Sequence, residues 1–261
     1  MAERLSERLL SRIEDAGLNA SAPPQQRWLD GWIVRTSPGK ARRARCVNAV
    51  AVGRLPLDEK LALAEGVFRE AGLPMVLRIT RFTQPADLDD QLAARGWAKL
   101  DDTRVMVCPR LSSTAPTALP AGLRQERLDA GAFAEAVGEL RGSPAAQRAA
   151  HAQRLLASPV PYQGYALRRE ADGAVLACGQ FAREAELVGL YDIFTREGDR
   201  GQGLARLLCE RLLSTAEAEG AEVAYLQTEA DNHAARTIYH RLGFSDQYSY
   251  HYRQRAGDGE T

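Results

Sequence analysis

Arg200-Gly201-Gln202-Gly203-Leu204-Ala205 is the stretch on which the reading of this chain depends. Upstream, Leu187-Val188-Gly189-Leu190-Tyr191-Asp192-Ile193-Phe194-Thr195 is rich in β-branched, aromatic and aliphatic residues. It runs into the charged turn Arg196-Glu197-Gly198-Asp199, so 187–195 reads as a mostly buried strand. Downstream, Leu204, Leu207, Leu208, Leu212 and Ala216 recur at helical spacing, and Gly220 stands where a C-terminal cap belongs. The order is strand, glycine-bearing turn, helix. The first N–H groups of a helix lack intrahelical partners and the helix dipole is positive at that end, so such a turn attracts phosphate. Gly201 and Gly203 let a pyrophosphate approach the backbone, and Arg200 offers charge-assisted hydrogen bonds. These residues alone are equally compatible with an ordinary tight turn.

The next segment separates the two readings. Val223-Ala224-Tyr225-Leu226-Gln227-Thr228 reads as a second strand, and 232–242 as a second helix with Ala235, Ile238, Tyr239 and Leu242 on one face and Gly243 at its end. Together these segments resemble the coenzyme-binding half of the GNAT superfamily of N-acetyltransferases. The pattern Arg/Gln-x-x-Gly-x-Gly/Ala falls on Arg200, Gly203 and Ala205; the pattern Asn-x-x-Ala-x-x-x-Tyr followed by Gly-Phe falls on Asn232, Ala235, Tyr239, Gly243 and Phe244. Two linked motifs in order are a far more specific signal than either one.

The resemblance implies direct acetyl transfer from acetyl-CoA, as co-substrate, to an amine of a small molecule or peptide. It places the pyrophosphate on Arg200, Gly201, Gln202, Gly203, Leu204 and Ala205, and the pantetheine arm on the backbone of Ile193, Phe194 and Thr195 with help from Asn232 and Ala235. A backbone N–H at Ile193 or Phe194 would polarise the thioester carbonyl between two splayed strands. Tyr239 would protonate the departing thiolate, a task that suits a phenol of ordinary pKa about 10. Outside the motif, Tyr239 would read first as a core aromatic, and Asn232 could be only a helix N-cap. For the base, Asp192 and Glu229 qualify by position, and a water chain is the other option. The runner-up function is an acyl-CoA-binding sensor or interaction module without catalysis. A nucleotide-binding P-loop is disfavoured because no Gly-Lys-Ser/Thr follows the turn.

Composition narrows the remaining classes. The 261 residues are 45% hydrophobic, enough for a sizeable core, and 34 Lys and Arg balance 34 Asp and Glu, unlike a nucleic-acid binder. The basic run Lys40-Ala41-Arg42-Arg43-Ala44-Arg45 reads as a solvated face. Cys46, Cys108, Cys178 and Cys209 lie far apart with no metal-ligand spacing, and the four histidines, His151, His233, His240 and His251, show none either. No metal is expected. No apolar run reaches the length of a membrane span, and 1–17 is too polar for a secretory signal, so a soluble cytoplasmic protein is expected. Nothing in the residues specifies an oligomeric state.

The same succession of elements recurs in the first half. Leu5, Leu9, Leu10 and Ile13 mark an amphipathic helix; strands follow at 30–35 and 45–52, a helix carries Leu61, Ala64, Val67 and Phe68, and a strand covers 75–80. A helix at 88–95 and a strand at 103–108 complete the series. Gly72 and Gly220, like Thr80 and Thr228, are separated by one interval, which suggests a duplication. The counterpart of the phosphate turn is Val52-Gly53-Arg54-Leu55-Pro56-Leu57, where Leu55 replaces Gly203 and Pro56 lacks an N–H; Leu92 stands for Tyr239 and Pro85 for Asn232. The expected fold class is thus α/β (α+β), two GNAT-like domains, each a mixed, mostly antiparallel sheet flanked by helices. The expected boundaries are a degenerate domain at 1–108, a Pro/Ser/Thr linker at 109–120, a catalytic domain at 121–254 and a disordered tail at 255–261. Within the catalytic domain, a strand at 122–128, helices at 130–140 and 145–156, and a hairpin about Asp172-Gly173 lead into 187–195.

Overall fold

The structure is a computed structural model that describes residues 5–39, 41–111 and 117–255. Lys40, the centre of the expected linker and the tail after 255 lie outside the described residues. In chain order the elements are α1 (Glu7–Ala20), β1 (Gln26–Leu29), β2 (Trp32–Arg35), β3 (Val47–Ala49), α2 (Leu57–Glu70), β4 (Val76–Thr80), α3 (Leu88–Ala94) and β5 (Trp97–Cys108). There follow β6 (Leu123–Leu128), α4 (Ala130–Leu140), α5 (Ala145–Leu156), β7 (Tyr162–Arg169), β8 (Val175–Glu184), β9 (Leu187–Thr195), α6 (Leu204–Ala218), β10 (Val223–Glu229), α7 (His233–Arg241) and β11 (Ser245–Arg255). No helix among the described residues is long and apolar enough to cross a membrane.

The expectation of a separate sheet for each domain is corrected by the strand pairing: the strands form one mixed sheet flanked by helices. The compact units also depart from chain order. Among the described residues, one comprises 5–20 with the stretch from Val105 to Gln247, the other the stretch from Ser21 to Arg104 with 248–255, so β5 and β11 each begin in one unit and end in the other, and α1 groups with the second half of the chain.

The unit containing α6 has strand order β10-β9-β8-β7-β6, antiparallel except for the parallel pair β9 and β10. On one face Leu204, Leu207, Leu208, Leu212 and Ala216 of α6 pack with Val188, Leu190, Phe181, Ala224 and Leu226, Ile193 lying against this group, together with Tyr239 and Phe244. On the other face Phe133 and Val137 of α4 and Leu155 of α5 pack with Ala166 and Cys178. Asp129 caps α4 through the Ala132 N–H at 2.8 Å. Burial of roughly 1.5–3 kcal/mol per large aliphatic side chain holds both helix layers to the sheet.

In the other unit β1-β2-β3-β4-β11 lie side by side, with Tyr250↔Thr80 and Tyr252↔Arg78 in antiparallel register. Two of these strands were not anticipated. β1, Gln26-Arg27-Trp28-Leu29, is an almost wholly exposed edge strand and shows no apolar alternation. β11 alternates buried Tyr248, Tyr250, Tyr252 and Gln254 with more exposed polar residues, a period-2 signal written in tyrosines.

Candidate active site

The site is set by where β9 stops pairing with β10. Their parallel register runs from Leu187↔Val223 to Leu190↔Leu226 and extends no further, while β9 continues along β8 to Ala177↔Thr195. Beyond Leu190 the β10-facing backbone edge of β9 is therefore outside the ladder, and Ile193, Phe194 and Thr195 lie on this stretch. The Thr195 hydroxyl is buried without a hydrogen-bond partner among the described residues.

Within the same stretch, Cys178 faces Phe194 and Gln180 faces Tyr191, so Asp192 and Ile193 together oppose Gly179. This is a β-bulge, with Asp192 at φ 52° in the left-handed region. The extra residue reverses the side-chain alternation: Ile193 packs toward Leu208 and Leu212 on the α6 face, while Phe194 packs with the α4 and α5 cluster. Asp192 is thereby directed to the α4 and α5 face. There Arg141 Nη1 donates to its Oδ1 at 3.0 Å, Gln180 Nε2 donates to Oδ2 at 2.7 Å, and His151 Nε2 lies 3.4 Å from Oδ2. Burial, the largest influence, would raise the Asp192 carboxyl. The close His151 imidazole and the charges of Arg141 and Arg154 outweigh it and hold the group well below the usual carboxylate range.

Past β9, residues 197–199 make a short 3-10 turn and the chain enters α6 through Gly201 and Gly203, at φ 78° and 79°. Arg200, Gly201, Gln202 and Gly203 are exposed, and a Cβ built on either glycine meets no atom within 4 Å. The Leu207 N–H donates to the Gly203 carbonyl, so the N–H groups of Leu204, Ala205 and Arg206 precede the first helical bond. Arg200 and Arg141 place their guanidinium groups 5.6 and 5.4 Å from the centre of the Phe194 ring, which ties the turn to the end of β9.

Asn232 caps α7 by accepting from the Ala235 N–H at 3.1 Å. Tyr239, in the next turn of that helix, is buried against Phe244, with ring centres 6.1 Å apart, and its hydroxyl has no hydrogen bond among the described residues. Burial and, secondarily, Cys209 push its phenol well above the ordinary value, so it carries its proton at neutral pH. Glu229 ends β10 in an exposed position, and no hydrogen bond or ion pair joins it to the Asp192 cluster among the described residues.

The structure thus brings Arg200, Phe194 and Asp192 together around one strand end and leaves Glu229 apart. Arg141, His151 and Gln180 are the members of this cluster that the sequence reading did not assign to the site. For His151 a signal existed: it lies one helical turn before Leu155, the buried residue of α5, and therefore on the sheet-facing side. Tyr162, whose hydroxyl donates to the Ala20 carbonyl at 2.6 Å, and the Tyr191 and Tyr225 hydroxyls, 2.9 Å apart, add a tyrosine-lined wall to the same unit.

Residues 135–244 match the model of the Acetyltransferase (GNAT) family. The chain is also 26% identical over 231 residues, 87% of its length and 91% of the relative's, to the uncharacterized N-acetyltransferase YobR of Bacillus subtilis. In fold it resembles a GCN5-related N-acetyltransferase from Kribbella flavida, with TM-score 0.69, 17% identity and 95% of each chain covered. A tandem GNAT protein of the clavulanic acid biosynthesis pathway is similar at TM-score 0.62 and 16% identity, over 78% of this chain and 70% of that one. The GNAT family uses acetyl-CoA as co-substrate, and among the described residues no group of His, Cys, Asp and Glu is arranged to hold a metal ion.

Proposed function

We propose that this protein transfers an acetyl group directly from acetyl-CoA to an amine of a small molecule or peptide. The observation that carries the reading is the end of the β9 and β10 ladder at Leu190↔Leu226, directly before a turn that presents unbonded helix N–H groups. An extended pantetheine arm has a free strand edge at 193–195, with the buried Thr195 hydroxyl beside it. Its pyrophosphate has the N-terminus of α6, the open space over Gly201 and Gly203, and the Arg200 guanidinium. Asn232 and Ala235 flank the arm from α7.

The remaining residues take roles from chemistry and position. Holding thioester and amine side by side supplies much of the rate. A backbone N–H at Ile193 or Phe194 polarises the carbonyl, and Tyr239, protonated at neutral pH, delivers its proton to the leaving thiolate. Asp192, held ionised by its partners, serves better to position other groups than to take up a proton.

The half-chain correspondences support the finer reading of a tandem protein, with a degenerate copy at 1–108, a linker at 109–120 and the coenzyme-binding copy at 121–254. Four free, buried cysteines suit the cytoplasm. The deciding assay is release of free thiol from acetyl-CoA over a panel of small amines and peptide N-termini. Tight acetyl-CoA binding with no thiol release in any of them would overturn the transferase reading.

A further inference from the structure

We infer that His151 is the group that takes the proton from the incoming amine and that Asp192 is its positioning residue; this rests on the N-acetyltransferase reading of the same site. An amine that arrives as ammonium must lose a proton before its nitrogen can attack a thioester. Asp192, the obvious carboxylate, already has both oxygens engaged, Oδ1 by Arg141 at 3.0 Å and Oδ2 by Gln180 at 2.7 Å. His151 sits beside it, Nε2 at 3.4 Å from Oδ2 and the ring edge-on to Phe133 with centres 6.3 Å apart. Nε2 is buried and makes no hydrogen bond among the described residues, so the imidazole keeps a nitrogen uncommitted, and the imidazolium that forms on taking up a proton is stabilised by Asp192 at 3.4 Å.

A second observation points to what the cluster receives. Gln180 Oε1 and Gln147 Oε1 are buried with no hydrogen-bond partner among the described residues. Gln147 is one turn before His151 on the same face of α5. Buried lone pairs without donors are costly, and one of them beside the Asp192 carboxylate, with a second one helical turn from His151, suits a guest that brings N–H groups, as an amine does. The bulge makes the arrangement possible, since regular alternation along β9 would point Asp192 at the apolar α6 face.

The other charged groups around His151 are accounted for. Arg141 pairs with Asp192 and Arg154 acts on the same carboxylate. Glu135 of α4 is held by Arg148 of α5 at 2.8 Å. The Cys178 thiol, pushed up to about 12 by burial, stays uncharged.

The step balances as follows. One ammonium proton passes to the imidazole of His151 and on to solvent. The nitrogen lone pair forms the C–N bond, the C–S bond breaks, and the thiolate takes the Tyr239 proton. The proton lost from the new amide nitrogen restores Tyr239 through solvent.

The test compares parent, His151→Gln and Asp192→Asn. Thiol release from acetyl-CoA is followed with a mixture of simple primary amines across neutral to alkaline pH. Acetyl-CoA affinity is measured by calorimetry, and the His151 imidazole titration by NMR. His151→Gln should lower kcat/KM about a hundredfold near pH 7. That deficit should shrink where the amine is itself deprotonated, and acetyl-CoA affinity should not change. Asp192→Asn should move the His151 titration to lower pH. Superimposable pH profiles in a parent that turns over would overturn the base and spare the transferase reading. An unmoved imidazole titration would overturn the positioning. A parent that binds acetyl-CoA but releases no thiol would overturn the transferase reading and the base with it.

Discussion

At the entry to α2, the N–H groups of Arg54 and Leu55 both donate to the carboxylate of Asp30 at 2.8 Å, and Lys60, almost completely buried, lies 3.5 Å from the same carboxylate. At the entry to α6, the corresponding turn holds Arg200, Gly201 and Gly203 in the open. The neighbouring carboxylate, Asp199, is drawn away by an ion pair with Arg196. Both turns are anion sites in the sense that backbone N–H groups converge ahead of a helix. The first has been closed by a side chain of the protein itself; the second leaves the position to a ligand. Gly53, at φ 75°, keeps the left-handed conformation that brings the chain over Asp30, and a Cβ there would lie 2.2 Å from the Asp30 carbonyl oxygen. The two turns therefore differ by more than Leu55 standing where the other has Gly203. One turn carries its own anion; the other is open where the proposed coenzyme would bring one.

The sharpest way to separate the halves is at the position where one carries Tyr239 and the other Leu92. Tyr239→Phe removes only the hydroxyl from a buried ring, so packing against Phe244 survives. Turnover should fall about a hundredfold with acetyl-CoA affinity unchanged, in steady-state kinetics paired with calorimetry. A Phe variant as active as the parent would make Tyr239 a packing residue like Leu92.

A smaller effect is expected from making the open turn resemble the closed one. Gly203→Val places a β-branched side chain at φ 79°, which is strained, and in the space where a pyrophosphate would approach. Acetyl-CoA should bind roughly tenfold more weakly or worse, about 1.4 kcal/mol, with the far-UV spectrum unchanged. The same titration counts sites. One acetyl-CoA per chain is expected, because Asp30 occupies the other turn; a stoichiometry of two would dissolve the contrast.

How much of this was legible in the sequence follows from the kind of interaction involved. The strand 187–195 and helix 204–218 were readable because their apolar residues repeat with a clear period and the glycines punctuate them. Helices 130–140 and 145–156 were readable for the same reason. β1 was not, since an exposed edge strand has no buried face to impress on its residues. The bulge at Asp192 depends on which residue of β8 lies opposite, and no local pattern carries that information. His151 and Asp30 owe their partners to strands and turns far away in the chain; spacing to Leu155 marks the sheet-facing side of His151, but nothing local marks its partner or those of Asp30.

The smallest effect concerns the closed turn, and it is read in stability. Asp30 has its carboxyl held below the usual range, first by the Leu55 N–H, then by the Arg54 N–H and Lys60. A carboxyl with a depressed folded-state pKa stabilises the fold above its unfolded value of about 3.9 and loses that contribution as pH falls through the folded value. Asp30→Ala should therefore lower Tm at neutral pH, because it takes the acceptor from two N–H groups and the counter-charge from Lys60, whose ammonium also donates to the Asp30 and Val52 carbonyls at 2.8 Å. The gap between parent and variant should be full at pH 5 to 7 and close progressively below about pH 4. Acetyl-CoA stoichiometry should stay at one, since Leu55 and Pro56 still fill the turn and withhold a donor. Thermal melts across this pH range decide the matter. A gap that persists unchanged in acid would mean that the Asp30 side chain acts through shape alone, and the likeness to a bound anion would fall.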